Sequence, residues 1–397
     1  MPLTRGIGKQ LQIGVAKEST RGTANTTVAY WLAASEWAIE ERFNNAVDIE
    51  TYGVIEDNVG QTRVKNLSEG ELSLPLADLS TPLLFLSIFG TDTPATHSGE
   101  SVVYDHVMTV AQSVQHQSLT FAMHDPIVAQ DYVFANSVVY KANLAYELGK
   151  FVSLKASVKG LKGATQSAYT PSQSAENRFV PQYLAFYVAP TAAGVNGTLT
   201  ATGTAATTIH VTGLSINTSL LRVGMTVTGT NVPVGAMIAT IVSGTAFDLS
   251  AATTGAVGTM TFGGYNIKLK SAQINIESNV TDDDVLGSTS PRDFLNQEFK
   301  VEGQIECIWQ NESDFKTGAL ANLAQAMRFD LVNSDVTIGT SAHPEINIVM
   351  NKVVLTEFTR PVKIKDIMYQ TVKFKAAYSV TDAKMITVTC TNTVSAY

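Results

Sequence analysis

Charged residues are nearly absent from one stretch of this sequence. The whole chain is 16% Asp, Glu, Lys and Arg, yet Arg222 and Asp248 are the only such residues between positions 195 and 262. That stretch consists mainly of Thr, Gly, Ala and Val, whereas both flanks have an ordinary composition. The abrupt change indicates a separate segment inserted into another fold.

Long hydrophobic runs and cysteine pairs are also scarce. The densest apolar run, residues 83–89, falls well short of the ~18 residues of a membrane span. The first residues lack the apolar core of a secretion signal. Cys307 and Cys390 have no CxxC spacing, and two thiols do not form a disulfide framework. We therefore expect synthesis in a reducing cytoplasm and no membrane partner.

The chain is acidic, with a net charge of −8 and a pI near 5.3. This charge argues against a protein that binds nucleic acid by neutralising phosphates. It is compatible with a surface past which nucleic acid slides, because like charges repel. A length of 397 residues predicts two or three domains, and 45% hydrophobic residues are enough for packed cores.

Residue patterns typical of catalysis or metal binding are missing. Asp282-Asp283-Asp284 lacks the alternating ligands, glycine and distal Glu of a calcium loop, which favours a solvated turn or an assembly contact. The six histidines show no metal-ligand spacing. His124 and Asp125 are adjacent in a predicted strand and point to opposite faces. We predict no catalytic, cofactor or metal site, and no enzyme.

Strand-like alternation dominates the flanks, as in residues 138–144, 151–158 and 267–277. Two short helices are expected. The first begins after Ser80, with a proline in its first turn, and ends at Gly90. The second runs from about Asp314 to near Arg328. The sequence therefore predicts a mainly β protein.

These helices stand in matching contexts, which predicts an internal duplication. Glu69-Gly70 precedes a strand and the first helix, and Glu302-Gly303 precedes a strand and the second. Two further strands follow in each half: residues 138–147 and 151–160, then 346–358 and 369–379. Because identity is low, a chance alignment of two β-rich stretches stays an alternative.

The alignment also predicts where the charge-poor stretch is inserted. Residues 28–44 are matched with 184–188 joined to 267–279, so that the short link 33–35 is replaced by the insertion. Links of this kind lie at the surface and tolerate insertions. Within the insertion we expect strands at 207–211, 226–228, 238–242 and 259–262, forming a small all-β sandwich or barrel.

Three parts of the sequence resemble a known family. They are 14-GVAKESTRGTA, 68-SEGELSLPLADLSTPLLFLSIFG and 279-NVTDDDVLGSTSPRDFLNQEFKVEGQIECIWQNESDF. With the strand around Trp31, they resemble the tail tube (major tail) proteins of long-tailed bacteriophages, over about 1–190 and 265–397. The resemblance implies β-sandwich domains with a flanking helix, which contribute strands to a closed inner barrel.

The resemblance further implies rings that stack into a tube conducting DNA. Members with a duplicated domain form threefold rings with pseudo-sixfold symmetry, and outer Ig-like modules are common. We therefore expect a homotrimeric ring whose partners are itself, the tape measure, tail tip and terminator proteins, and DNA that passes without specific binding. The implied location is the virion tail. We expect a first tube domain with an N-terminal arm at 1–182, a second at 183–194 and 263–397, and an inserted domain at 195–262.

Two long polar segments, 44–67 and 281–297, are interpreted as inter-ring or inter-subunit arms that order on assembly. Mobile surface loops are the alternative for both. For the whole protein, the alternative function is a secreted or surface adhesin whose charge-poor module binds carbohydrate. A capsid or decoration protein would share the β-rich composition but not the repeated order of strands and helix.

Overall fold

The fold is mainly antiparallel β, as the sequence predicts. The computed structural model describes residues 7–50, 53, 55–57, 60–126, 131–166, 168–310, 315–361 and 367–397. Among these, no helix is both long enough and apolar enough to cross a bilayer.

The secondary structure elements are as follows. The first part of the chain contains β1 (Gln12–Lys17), β2 (Tyr30–Leu32), β3 (Glu36–Asp48), β4 (Gly60–Pro75), α1 (Thr81–Phe89), β5 (Thr93–Thr96), β6 (Tyr104–Thr109), β7 (Leu119–His124), β8 (Asp131–Glu147), β9 (Ser153–Gly160) and β10 (Ala164–Gln166). The middle contains β11 (Leu184–Ala189), α2 (Ala192–Val195), β12 (Leu199–Thr202), β13 (His210–Val211), β14 (Thr226–Gly229), β15 (Ile238–Ser243), β16 (Ala246–Leu249), β17 (Thr259–Gly263) and β18 (Tyr265–Asn266). The last part contains β19 (Leu269–Asp282), β20 (Phe294–Ile308), α3 (Lys316–Leu320), β21 (Gln325–Val332), β22 (Glu345–Thr359), β23 (Tyr369–Ala376) and β24 (Ile386–Asn392).

Two sets of seven strands pair in the same order. In the N-terminal strand set the successive pairs run β2–β1–β7–β8–β9–β4–β3. In the C-terminal strand set they run β18–β11–β21–β22–β23–β20–β19. In addition, β10 pairs with the start of β8, and β24 pairs with the start of β22.

Irregularities in the pairing recur at matching positions of the two sets. The register of β8 against β9 shifts between Val139 and Lys141. The register of β22 against β23 shifts between Leu355 and Glu357. The pairs β7–β8 and β21–β22 also each contain one shift. Because a β-bulge is a specific local feature, its repetition shows that the two sets share detail as well as order.

The two strand sets join through β8 and β19, which pair antiparallel from Ser271–Glu147 to Glu277–Lys141. This produces an uninterrupted run of eight strands, β3–β4–β9–β8–β19–β20–β23–β22, which we call the central sheet. A second connection is β6, which pairs with β24. One continuous hydrophobic core contains residues from both sets.

The first predicted helix is confirmed, and the second is only partly right. Helix α1 ends at Phe89 and is followed by Gly90, whose φ of 83° is the left-handed conformation that glycine favours. Helix α3 ends at Leu320, not near Arg328, and Asp314 lies outside the described residues. Residues 325–332 form β21 between β11 and β22. Pairing on both sides has overridden the helical appearance of the Ala- and Leu-rich sequence.

The predicted alignment around the insertion is wrong in one respect. The counterpart of β11 is β1, because each pairs with the corresponding strand β21 or β7. The counterpart of β2 is β18. The charge-poor stretch therefore lies between β11 and β18, and it replaces residues 18–29 of the N-terminal strand set, not the link 33–35.

The charge-poor stretch folds into two three-stranded sheets, β12–β17–β14 and β13–β16–β15. Strands at 226–229, 238–243 and 259–263 match the prediction, the strand predicted at 207–211 is limited to residues 210–211, and β12 and β16 were missed. Phe247 and Phe262 pack edge to face in its core, with ring centroids 5.8 Å apart. That core also includes Ala326 and Val349 of the C-terminal strand set.

Candidate assembly surfaces

The central sheet has one apolar and one polar face. On β8, Ala142, Leu144 and Tyr146 are buried in the core, whereas Lys141 and Asn143 lie on the opposite face. The same alternation continues in β19 and β23 and over parts of the other strands, as expected of a sheet that packs on one side only, whereas residues 40–44 of β3 are all exposed. The polar face therefore extends across both strand sets.

On this polar face, glutamates form ion pairs with lysines of neighbouring strands. Glu71 lies 2.6 Å from Lys155, measured from Oε2 to Nζ, and Glu357 lies 2.7 Å from Lys373. The hydrogen bond from Lys155 lowers the pKa of Glu71 and outweighs the small effect of burial. Glu69 accepts a hydrogen bond from Tyr140 at 3.3 Å. Both Glu69 and Glu71 are on β4, an interior strand of the sheet, so neither stands at its edge.

The outermost strands of the central sheet each have an unpaired edge within the described chain. Strand β3 pairs with β4 alone. Strand β22 pairs with β21 and β24 along its first part, but residues 354–359 pair with β23 alone. Unpaired backbone N–H and C=O groups are a template for strand pairing with another chain.

The far ends of β3 and β4 form a projecting hairpin, which we call the arm. Residues 44–48 pair with 60–65, so much of the predicted polar segment 44–67 is a two-stranded hairpin. Five large apolar residues of the arm are exposed: Phe43, Val47, Ile49, Ile55 and Val64. Two strands alone are marginally stable in water, and exposed apolar groups of this kind mark interaction surfaces.

The second predicted arm, residues 281–297, packs against the base of the first. Lys65 Nζ lies 2.8 Å from Asp282 and 2.6 Å from Asp284, and Arg292 lies 2.7 Å from Asp283. Burial alone would raise the pKa of Asp282, but the Lys65 hydrogen bond and the Lys159 charge lower it. The aspartate triplet is thus an ion-paired contact within the chain, which the sequence did not predict.

With this geometry in place, comparison with known proteins identifies the family. The chain matches the family of phage tail tube proteins over residues 8–393. It belongs to that family. The chain is therefore a structural component of a bacteriophage virion tail. No curated protein matches the chain.

Several histidines of this tail tube protein are hydrogen-bonded to carboxylates within the chain, and its two cysteines are buried. His124 Nδ1 lies 3.0 Å from Asp131, not beside Asp125. His106 Nδ1 lies 2.9 Å from Asp92. Cys307 and Cys390 are both buried, and burial raises the pKa of the Cys390 thiol. In the described part of the chain, no three His, Cys, Asp or Glu residues are grouped to hold a metal ion.

Proposed function

We propose that three copies of this chain form a ring, and that rings stack into the tail tube through which DNA enters the host. The observation that carries the proposal is the central sheet, which contains the same strand order twice and ends in two unpaired edges. Closing such a sheet on copies of itself removes its edges. Three chains would then present six similar strand sets around one channel.

In this ring the polar face of the central sheet lines the channel. The apolar face is already covered by the core of the chain, so the polar face is the one available to water and DNA. Ion pairs such as Glu71–Lys155 leave few lysines there to bind phosphates. With a net charge of −8 on each chain, DNA would pass without adhering.

The domain organisation follows from the same proposal. The first tube domain is assigned to 1–182, the second to 183–194 and 263–397, and a displayed domain to 195–262. The boundary between residues 182 and 183 is supported by the link between β10 and β11. The assignment of 195–262 to a domain of its own is supported by the separate sheets of the charge-poor stretch. Each tube domain carries one helix after β4 or its counterpart β20. An Ig-like identity of the displayed domain stays a prediction.

Assembly along the tube axis is assigned to the arm. Its exposed apolar residues would be covered by the adjacent ring, which orders the hairpin and joins successive rings. The remaining partners are the tape measure, tail tip and terminator proteins at the ends of the tube. The chain would be synthesised in the cytoplasm of the host and function as part of the virion, with no enzymatic role.

Cryo-electron microscopy of the assembled protein tests this proposal. We expect three chains in each ring, six similar domains around a channel and three external knobs. Six chains in a ring would retain the tube but contradict the threefold arrangement. An absence of tubes at every protein concentration would contradict the tube function and favour an adhesin.

A further inference from the structure

The chain contains its own example of the contact between two strand sets. Strand β19 of the C-terminal strand set pairs with the end of β8 of the N-terminal strand set. In this internal junction, Glu277 is opposite Lys141 and Ile276 is opposite Ala142. The junction therefore places opposite charges on the polar face and apolar side chains on the core face.

The two unpaired edges are the counterparts of this junction. Tyr140 of β8 and Thr356 of β22 lie within matching register shifts, so Lys141 corresponds to Glu357. Ile39 of β3 is opposite Gly70, as Ile274 of β19 is opposite Gly303. Counting along the strands, Arg42 is the counterpart of Glu277.

We propose that β3 of one chain pairs antiparallel with residues 357–360 of a second copy, at the end of β22, in the register of the internal junction. This places Arg42 opposite Glu357, Glu41 opposite Phe358 and Glu40 opposite Thr359. The pair Arg42–Glu357 carries opposite charges, like Glu277–Lys141, but with the signs exchanged between the strands. The partner is thus a second copy of this chain. The inference rests on the proposed ring and adds the identity and register of its contact.

A groove beside β3 is further evidence that the partner is a second copy of this chain. It has a volume of about 990 Å³, and its lining includes Trp37, Ile39, Met123 and Tyr132. A largely apolar groove next to an unpaired strand edge is a place for apolar side chains of the strand that would pair there.

In the C-terminal strand set the corresponding space is filled. The counterpart of Met123 is Phe329, because Phe121 and Met327 follow matching register shifts in β7 and β21. The ring of Tyr146, from the end of β8, stacks on Phe329 with centroids 6.2 Å apart. Tyr146 therefore occupies the space beside β19. The corresponding space beside β3 is the open groove. In the proposed contact, Phe358 of the second copy lies opposite Glu41, which belongs to the lining of the groove.

Disulfide trapping tests the register. The variant carries Arg42→Cys and Glu357→Cys, both at exposed positions, so that folding is retained. The matched control carries Phe43→Cys with Glu357→Cys, because residue 43 points to the opposite face of β3. The native Cys307 and Cys390 are each 1% exposed and do not compete for oxidation.

We expect mild oxidation of the assembled 42/357 variant to give chains linked into closed oligomers on non-reducing gels, at least ten-fold more than in the 43/357 control. Each single-cysteine variant should give no closed oligomer. Equal or greater linkage in the control, within intact tubes, would overturn the register and leave the tube function standing. Chains that stay monomeric in sedimentation at all concentrations would overturn both.

Hydrogen exchange of the unmodified protein gives an independent measurement. On assembly, backbone amides at 38–42 and 357–360 should become at least ten-fold more protected. Strand β9, which is paired on both sides within the chain, serves as the internal control and should change little. Tubes that leave 38–42 and 357–360 unprotected would contradict the proposed strand pairing.

Discussion

Gly70 and Gly303 occupy the same point in the two strand sets and meet the same obstacle. A Cβ at Gly70 would lie 1.8 Å from the carbonyl oxygen of Ala38. A Cβ at Gly303 would lie 2.4 Å from the carbonyl oxygen of Gln273. Ala38 and Gln273 each precede the isoleucine opposite the glycine. The close approach of two backbones explains why both halves contain glycine here.

We expect Gly70→Ala and Gly303→Ala each to destabilise the chain by about 2–4 kcal/mol, because neighbouring backbone must move. The matched control is Gly60→Ala on the same strand as Gly70, where no atom of the described residues lies within 4 Å of the added Cβ. Urea unfolding followed by circular dichroism measures the difference. If all three variants unfold at the same urea concentration, steric exclusion does not explain the two glycines.

A second prediction concerns the apolar face of the central sheet. Leu72 lies two residues after Gly70, and Ile305 lies two residues after Gly303. Both side chains are 0% exposed. Leu72→Asp and Ile305→Asp should each prevent folding of the half in which they lie, since an unpaired charge would be buried. Gln304→Asp on the polar face is the control and should fold. Limited proteolysis and thermal melts report the result, and variants that melt like the natural protein would disprove the assigned faces.

The sequence predicted these positions because the signals there are local. Alternation of apolar residues marks buried strand positions such as Leu72, and Pro82 with Gly90 defines the ends of α1. The signal failed where partners decide the outcome. The Ala- and Leu-rich stretch after Lys316 has a helical composition, but Asn322 has a φ of 51°, which is incompatible with a continued helix.

Pairing partners also explain the misplaced insertion. Residues 28–32 and 184–188 have similar apolar patterns, which do not distinguish β2 from β1 as the counterpart of β11. The distinction depends on β7 and β21, which lie far away in sequence. The polar segments 44–67 and 281–297 were recognised from the sequence, but the unpaired edges and the ion pair of Asp282 with Lys65 were not. An unpaired edge is defined by the absence of a neighbour, and Asp282 meets Lys65 only after folding.

A third prediction concerns the pH dependence of the link between Arg21 and Asp293. Arg21 Nε lies 2.7 Å from Asp293 Oδ1, and Asn136 Nδ2 donates to the same oxygen at 3.0 Å. Burial alone would raise the pKa of Asp293, but these donors and the Phe294 N–H together lower it. The interaction is therefore fully stabilising above the unfolded pKa of about 3.9, and it is lost as the pH falls through the folded pKa.

We expect Asp293→Asn to lower the free energy of unfolding at pH 7 by roughly 1–3 kcal/mol, as for other charge-assisted hydrogen bonds. The difference from the natural protein should shrink as the pH is lowered from about 5 to about 2. Glu147→Gln is the control, because its partner Lys150 is largely exposed. Urea unfolding across this pH range measures both variants. A difference that stays constant with pH would exclude Asp293 as the titrating group.

The last prediction separates the charge-poor stretch from the fold that carries it. Leu199 and Phe262 are cross-strand partners, so the chain enters and leaves this stretch at neighbouring points. Deleting residues 199–262 and joining the ends through two glycines should therefore leave the central sheet folded.

This deletion uncovers Ala326 and Val349, which pack against the core of the stretch. We expect this exposure to cost on the order of 1–2 kcal/mol, and Val349→Thr in the shortened chain to recover solubility without loss of folding. Circular dichroism and sedimentation of the shortened chain measure folding and assembly. Rings without external knobs would establish that the stretch is a displayed module, whereas an insoluble chain even with Val349→Thr would place it within the structural core of the tube protein.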